Sequence, residues 1–132
     1  MKQNIRCLLS IIIVFVIFLG GCSKGSYVMK NSDENSGNEY WKATYDDFDG
    51  YKQQSISLDK DTDYMFTVQV ITNSGNLELS ITGEDGTIYF DENKLQTSTF
   101  DIQVSNEDKI NIRFEAENHM GSFDVNWSSK YY

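Results

Sequence analysis

From Tyr40 onward the chain alternates between apolar and polar residues in short runs. In residues 110–117 every second side chain is apolar and its neighbours are polar. Weaker or shorter runs of the same kind occupy residues 41–45, 56–58, 66–70, 77–81, 88–90, 100–104 and 123–127. A period of two is typical of strands with one buried face, and no helical period appears after residue 22. The pattern predicts an all-β domain over residues 40–130, an antiparallel β-sandwich or jelly roll of about eight strands.

Turn residues separate these runs. Asn73–Asn76 and Glu84–Gly86 each contain a glycine that tolerates a positive φ angle, so both are predicted to be hairpin turns. Ser105–Asp108 and Asn118–Gly121 are predicted to be two further turns. The alternation also places Trp41 and Trp127 on the buried side of their strands.

Residues 22–39 have a different composition. They are rich in Ser, Asn and Gly and poor in apolar residues. They show neither the period of two that is typical of a strand nor the period of 3.6 that is typical of a helix. Such a segment buries too little surface to offset its ordering entropy, so it is predicted to be a flexible linker. A linker of this kind extends about 20–25 Å on average.

The first 21 residues predict a secretory signal peptide. Lys2 and Arg6 precede an apolar run, residues 7–19, which Ser10 alone interrupts. A helix that spans a bilayer needs about 20 apolar residues, so this run fits the hydrophobic region of a signal peptide helix. The alternative is an N-terminal anchor helix that is retained.

The sequence Leu19-Gly20-Gly21-Cys22 favours the signal peptide, because it resembles the lipobox of bacterial lipoproteins. The resemblance implies cleavage between Gly21 and Cys22 and a covalent diacylglycerol on the Cys22 thiol. Two acyl chains give stable anchoring, at about 0.8 kcal/mol for each buried methylene. We therefore expect a lipid-anchored protein on the outer face of the cell membrane. Cys7 would be removed with the signal peptide.

Charge narrows the range of partners. The 132 residues carry 20 acidic and 11 basic side chains, a net charge of −9. From Cys22 onward the count is 20 acidic and nine basic side chains, a formal charge of −11. Nucleic acid is bound by clustered Lys and Arg, so it is not an expected partner. Solubility and repulsion from anionic surfaces are sufficient explanations for the charge.

Three motifs resemble a protein family. They are Phe48-Asp49-Gly50, the run 77–81 that leads into Asp85-Gly86, and the closing Gly121-Ser122-Phe123-Asp124-Val125-Asn126-Trp127. Together they resemble small, uncharacterised lipoproteins of Gram-positive bacteria with a single β-sandwich domain. The Asp-Gly region is also similar to pre-peptidase C-terminal-type domains. The resemblance implies the fold and does not imply a ligand.

The sequence gives little support for a catalytic function. His119 is the only histidine, and it is predicted to be a solvated turn residue. No second His and no free Cys would accompany it at a metal, and no Gly-x-Ser-x-Gly motif presents a nucleophile. We therefore expect a protein that is not an enzyme and that needs no cofactor.

Two groups of acidic residues are candidates for calcium ligands. Asp59, Asp61 and Asp63 have the spacing of a calcium loop, but Tyr64 and Val70 stand where an EF-hand needs Gly and Glu. Asp46, Asp47 and Asp49 beside Gly50 form a second acidic group and are candidate calcium ligands, since secreted β-sandwiches often carry surface calcium.

Aromatic residues offer the better binding hypothesis. Tyr40, Tyr45 and Tyr51 cluster near the start of the domain and are predicted to share an exposed region. Rings of this kind stack on sugars or peptides. The competing interpretation is that alternate members belong to the core.

These features predict a non-catalytic binding module of the cell envelope, with a protein or a glycan as partner. One alternative is a protective lipoprotein that confers immunity or exclusion against a toxin or phage. The other alternative is an accessory domain of the carbohydrate-binding kind.

Overall fold

Seven β-strands and no helix make up residues 23–130, the part of the chain that the computed structural model describes. The strands are β1 (Ser23–Lys30), β2 (Asp33–Ser36), β3 (Tyr40–Ser57), β4 (Tyr64–Gly83), β5 (Ile88–Glu92), β6 (Ser98–Val104) and β7 (Lys109–Ser129). All pair in antiparallel fashion. The predicted all-β antiparallel fold is confirmed. The predicted signal peptide and Cys22 lie outside the described residues.

Three of the strands are long and bent. β3, β4 and β7 contain 18, 20 and 21 residues, and their pairing registers shift near the middle. The rings of Phe114 and Phe123, both in β7, have centroids only 3.9 Å apart. Nine residues of straight strand would separate them by about 30 Å. The strand therefore folds over the core, and β3 and β4 bend beside it.

The bends divide one continuous sheet into two facing layers. The first layer has the order β2-β3-β7-β4-β6 and uses residues 40–45, 64–72 and 120–129 of the long strands. The second layer has the order β1-β3-β7-β4-β5 and uses their other halves. Strands that pass between layers through bulges are a known way to build the corners of a sandwich.

Glycines make the bends possible. Gly50, Gly75 and Gly121 all have positive φ angles. A Cβ on Gly121 would lie 1.8 Å from the Ile71 carbonyl oxygen, and one on Gly75 would lie 2.0 Å from that of Asn118. Two predicted turns, residues 73–76 and 118–121, are therefore bends within single strands. The runs 41–45 and 56–58 are likewise joined in β3, so the eight predicted runs form five strands, and β1 and β2 bring the number to seven. The predicted hairpin at Glu84–Gly86 is confirmed, and it joins β4 to β5.

The core lies between the layers and follows the alternation. Ile110, Ile112 and Phe114 are buried, and Arg113 between them faces outward and is partly exposed. Trp41 packs edge-on against Phe114 and Phe123, with centroids 5.4 Å and 5.0 Å away, so aromatic side chains of both layers meet at the centre.

The prediction of a flexible linker over residues 22–39 is wrong for most of that range. Residues 23–30 form β1 and residues 33–36 form β2, both hydrogen-bonded to β3. The side chains of β2 are exposed, so neither strand needs apolar alternation to pair at a sheet edge. The domain therefore begins directly after Cys22.

Candidate functional site

A cleft of about 330 Å³ opens at one edge of the sandwich. β1 and β2 both pair with β3, but β1 extends the second layer and β2 extends the first. The two edge strands therefore diverge and leave a gap between them. We call this gap the edge cleft; its lining includes Tyr27, Glu34, Ser36, Trp41, Lys52 and Gln54.

Trp41 lines the edge cleft and carries an unused hydrogen-bond donor. Its side chain is completely buried, and its indole Nε1 has no hydrogen-bond partner. Within residues 23–130 it is the one buried side-chain polar atom in that condition. An unsatisfied buried donor costs about 1–3 kcal/mol, which a suitable acceptor would recover.

Lys52 and Glu34 join the two walls of the edge cleft. Lys52 is 8% exposed and projects from β3 in the second layer, and its ammonium pairs with the Glu34 carboxylate on β2 in the first layer. The Lys52 Nζ also lies 4.3 Å from the ring centroid of Tyr27 on β1. The ammonium is therefore already neutralised, and the cleft offers hydroxyl, amide and aromatic groups without a free cation.

The three tyrosines predicted to form a binding patch do not lie together. Tyr45 is only 2% exposed and contacts Phe48 and Phe123 in the core, so its assignment to an exposed region is wrong. Tyr40 lies in the first layer and is 37% exposed. Tyr51 lies in the second layer, where the Arg113 guanidinium sits 4.1 Å from its ring centroid. The competing interpretation, that alternate rings belong to the core, holds for Tyr45.

The acids near the β3 bend have separate partners. Asp46 accepts a hydrogen bond from the Asn31 amide at 2.7 Å, and Asp49 accepts one from the Asn118 backbone N–H at 2.7 Å. Asp47 lies 3.9 Å from the Lys30 ammonium. Over residues 23–130, no three His, Cys, Asp or Glu side chains gather as metal ligands would.

His119 is not the solvated turn residue that the sequence suggested. It is fully buried at the bend of β7 and hydrogen-bonds to the neighbouring bends on both sides. The Tyr45 hydroxyl lies 2.7 Å from Nδ1, and the Thr72 hydroxyl lies 2.8 Å from Nε2. The imidazole therefore ties β3, β7 and β4 together where all three cross between layers.

The hydrogen bonds determine the tautomer. The Thr72 hydroxyl donates its only proton to the Leu95 carbonyl at 2.8 Å, so it must accept from His119 Nε2–H. Nδ1 is then unprotonated and accepts from the Tyr45 hydroxyl. Burial lowers the pKa of His119 from 6.5 to about 4 and raises the pKa of Tyr45 above its ordinary value. With both ring nitrogens engaged in the interior, His119 is not placed to activate a nucleophile.

The edge cleft could not be predicted from the sequence, because the segment that forms one of its walls has the composition of a linker. One signal was present. Ile56 is an inward residue of β3, and the same parity places Lys52 and Gln54 inward. A lysine at an inward position indicates a partner or a cleft, because an unpaired buried ammonium is costly.

Comparison with solved structures shows that the fold of this chain is similar to that of several known proteins. No family model and no curated protein matches the chain. A family 4 carbohydrate-binding module is similar at 17% identity and a TM-score of 0.46, over 84% of this chain and 81% of that one. A family 35 carbohydrate-binding module from Clostridium thermocellum is similar at 14% identity and a TM-score of 0.41, over 80% and 94% of the two chains.

A third similar structure is a family 61 module in complex with β-1,4-galactotriose, at 11% identity and a TM-score of 0.40, over 82% and 87% of the chains. At such identities and TM-scores these likenesses carry no argument about what this chain binds. The described residues contain no helix long and apolar enough to cross a membrane.

Proposed function

We propose that residues 23–130 form a non-catalytic glycan-binding domain, displayed on the outer face of the cell membrane by a lipid on Cys22. The observation that carries the binding role is the edge cleft, where the buried Trp41 indole N–H has no acceptor. The lipobox-like Leu19-Gly20-Gly21-Cys22 supports the anchor.

The chemistry of the edge cleft suits a neutral sugar. A sugar hydroxyl oxygen is the kind of acceptor that the Trp41 indole N–H lacks, while Ser36 and Gln54 can donate to and accept from neighbouring hydroxyls. The Tyr27 ring, on a side chain that is 46% exposed, offers a surface for the C–H face of a pyranose. The Glu34–Lys52 pair leaves no unbalanced charge to attract or repel a charged ligand.

Trp41→Phe tests the binding role, because it keeps an aromatic ring in the core and removes the N–H donor together with part of the indole ring system. We expect it to weaken binding of a soluble disaccharide about tenfold, the equivalent of one hydrogen bond of about 1.4 kcal/mol. Titration calorimetry with a panel of hexose disaccharides measures the affinity.

Trp127→Phe is the matched control, since Trp127 stacks on Phe66 and does not line the edge cleft. Equal affinity in the wild type and Trp41→Phe would overturn the site. Hydrolysis of any tested glycan by the purified protein would overturn the non-catalytic role.

Cys22→Ala tests the anchor. Cells grown with radioactive palmitate should label the wild-type protein and leave the variant unlabelled, because the thiol is the acceptor of the diacylglycerol. Label that persists in Cys22→Ala would contradict lipidation at this residue. A mature protein that retains residues 1–21, detected by mass spectrometry, would instead indicate an anchor helix that is not removed.

A further inference from the structure

We infer that the edge cleft binds the sugar headgroup of a membrane glycolipid rather than a distant cell-wall polymer. The inference rests on the proposed function, both on glycan binding in the cleft and on the lipid at Cys22. It follows from how near the cleft lies to that residue along the chain.

The separation between the cleft and the anchor has an upper limit. One residue advances the chain by at most about 3.6 Å. Gly25, which lines the edge cleft, is three residues after Cys22, so their Cα atoms are at most about 11 Å apart. Tyr27 is five residues after Cys22, and the corresponding limit is about 18 Å. A headgroup layer is itself about 5–7 Å thick, so a lipid on Cys22 would hold the β1 wall of the cleft close to that layer.

No flexible segment lies between Cys22 and β1, so nothing in the chain would allow the cleft to move away from the membrane. Pairing with β3 begins at Ser23, which lies opposite Gln54, and it continues without a break to Lys30 opposite Asp47. The wall of the edge cleft is therefore part of the strand that starts at the anchor. A flexible linker would have allowed the domain to search a volume about 20–25 Å from the membrane, but the sheet uses those residues.

The charge of the protein favours some lipid headgroups at the membrane surface over others. The chain from Cys22 onward has a formal charge of −11, which repels anionic phospholipid headgroups. Lys52 pairs with Glu34 and lies against Tyr27, so it offers no free cation to a phosphate. The groups that remain, the Trp41 N–H and the Tyr27 ring among them, suit a neutral pyranose.

The test uses the mature lipoprotein, produced from the full chain and reconstituted in vesicles. One set of vesicles contains phosphatidylglycerol with a photoreactive diglucosyl diacylglycerol in equal parts, and the other contains phosphatidylglycerol with a photoreactive phosphatidylglycerol. After illumination, mass spectrometry locates the label. We expect glycolipid label on peptides of β1, β2 and residues 52–54, and none there from the phospholipid probe.

Two variants separate this inference from the proposed function. Trp41→Phe should lower both glycolipid labelling and soluble disaccharide binding about tenfold, whereas Trp127→Phe should change neither. A Gly-Ser spacer of about 20 residues, inserted between Cys22 and Ser23, extends about 25 Å. It should remove most of the glycolipid label, because the effective concentration of headgroup at the cleft falls, and should leave disaccharide affinity unchanged.

Each outcome is decisive. Disaccharide binding at the cleft without glycolipid labelling would overturn the membrane ligand and leave the glycan-binding role intact. Glycolipid labelling that survives the spacer unchanged would overturn the argument from proximity. Absence of both disaccharide binding and glycolipid labelling would overturn the proposed function itself.

Discussion

His119 shows how one side chain can hold three strands in position. Its two hydrogen bonds have opposite directions: Nδ1 accepts from Tyr45, and Nε2 donates to Thr72. Only the neutral imidazole with its proton on Nε2 satisfies both. Protonation would place two donors, Nδ1–H and the Tyr45 hydroxyl, against each other unless the hydroxyl turned away to a different acceptor. The bend region therefore depends on the protonation state of a residue that takes no part in binding.

Tyr45→Phe should destabilise the domain by about 1–2 kcal/mol, because the buried Nδ1 loses its only donor while the ring packing is retained. Urea denaturation at pH 7 measures the change. Tyr51→Phe is the matched control: Tyr51 is half-buried on the outer side of the second layer, and its hydroxyl makes none of the side-chain hydrogen bonds seen in residues 23–130. Equal losses in the two variants would contradict the role assigned to the Tyr45 hydroxyl.

Stability should also fall as the pH decreases from about 6.5 to about 4. The unfolded chain takes up a proton on His119 near pH 6.5, whereas the folded chain resists protonation until about pH 4. The unfolded state therefore binds more protons in this window, and the free energy of unfolding decreases as the pH falls, by at most about 3 kcal/mol. Below pH 4 this contribution stays constant. Chemical denaturation at several pH values measures the slope.

His119→Gln is the comparison for that slope, because glutamine can donate and accept but does not titrate. It should show a flatter pH dependence between pH 7 and 5, whatever its stability at pH 7. Hydrogen bonds from Thr87 lower the pKa of Asp85 below its ordinary 3.8, so that carboxyl titrates outside the window. Identical slopes in the wild type and His119→Gln would show that His119 is not the group responsible.

Among the strands, the sequence predicted the buried faces better than the connections. Alternation identified Ile110, Ile112 and Phe114 as core residues because burial repeats every second residue whether a strand is straight or bent. It did not distinguish a bend from a hairpin at Asn73–Asn76, since both need a residue with positive φ and both interrupt the alternation. The two cases differ in their strand pairing. In a bend the neighbouring strand continues alongside, as β7 does beside β4 on both sides of residues 73–76.

Gly121→Ala should prevent the bend of β7 and cost more than 3 kcal/mol or abolish folding, because its Cβ would lie 1.8 Å from the Ile71 carbonyl oxygen. Gly86→Ala tests backbone conformation alone: Gly86 has a φ of 91° but nothing within 4 Å of an added Cβ. We expect it to cost about 1 kcal/mol. Thermal denaturation compares the two, and a similar shift for both would contradict the steric explanation.

The edge strands mark the limit of what the pattern could predict about the site. β2 has four exposed residues, so nothing in its side chains distinguishes it from a loop. It is a strand because its backbone pairs with backbone N–H and C=O groups of β3. Whether those groups are available depends on the position of β3 in the fold. The edge cleft requires β1 and β2 in different layers, so it could be found only after the bend of β3 was known.

For the domain as a whole, deletion of residues 23–36 tests whether these residues are an integral edge of the sheet or a dispensable linker. Without them β3 becomes an edge strand, Phe48 loses its contact with Tyr27, and Lys52 loses Glu34. We expect a lower urea midpoint and a tendency to aggregate through the uncovered edge. A midpoint equal to that of the intact domain would restore the linker interpretation.

The central place of β7 has a consequence for the order of events in the cell. β3 pairs with β1, β2 and β7, and β4 pairs with β5, β6 and β7, but β3 and β4 do not pair with each other. A nascent chain that ends before Lys109 therefore holds two separate groups of strands, with no element to join them and no closed core. Because β7 is synthesised after the other six strands, the sandwich cannot close until β7 has been made. The last step of folding is therefore the pairing of β7 with segments that are distant in sequence, which is intrinsically slow.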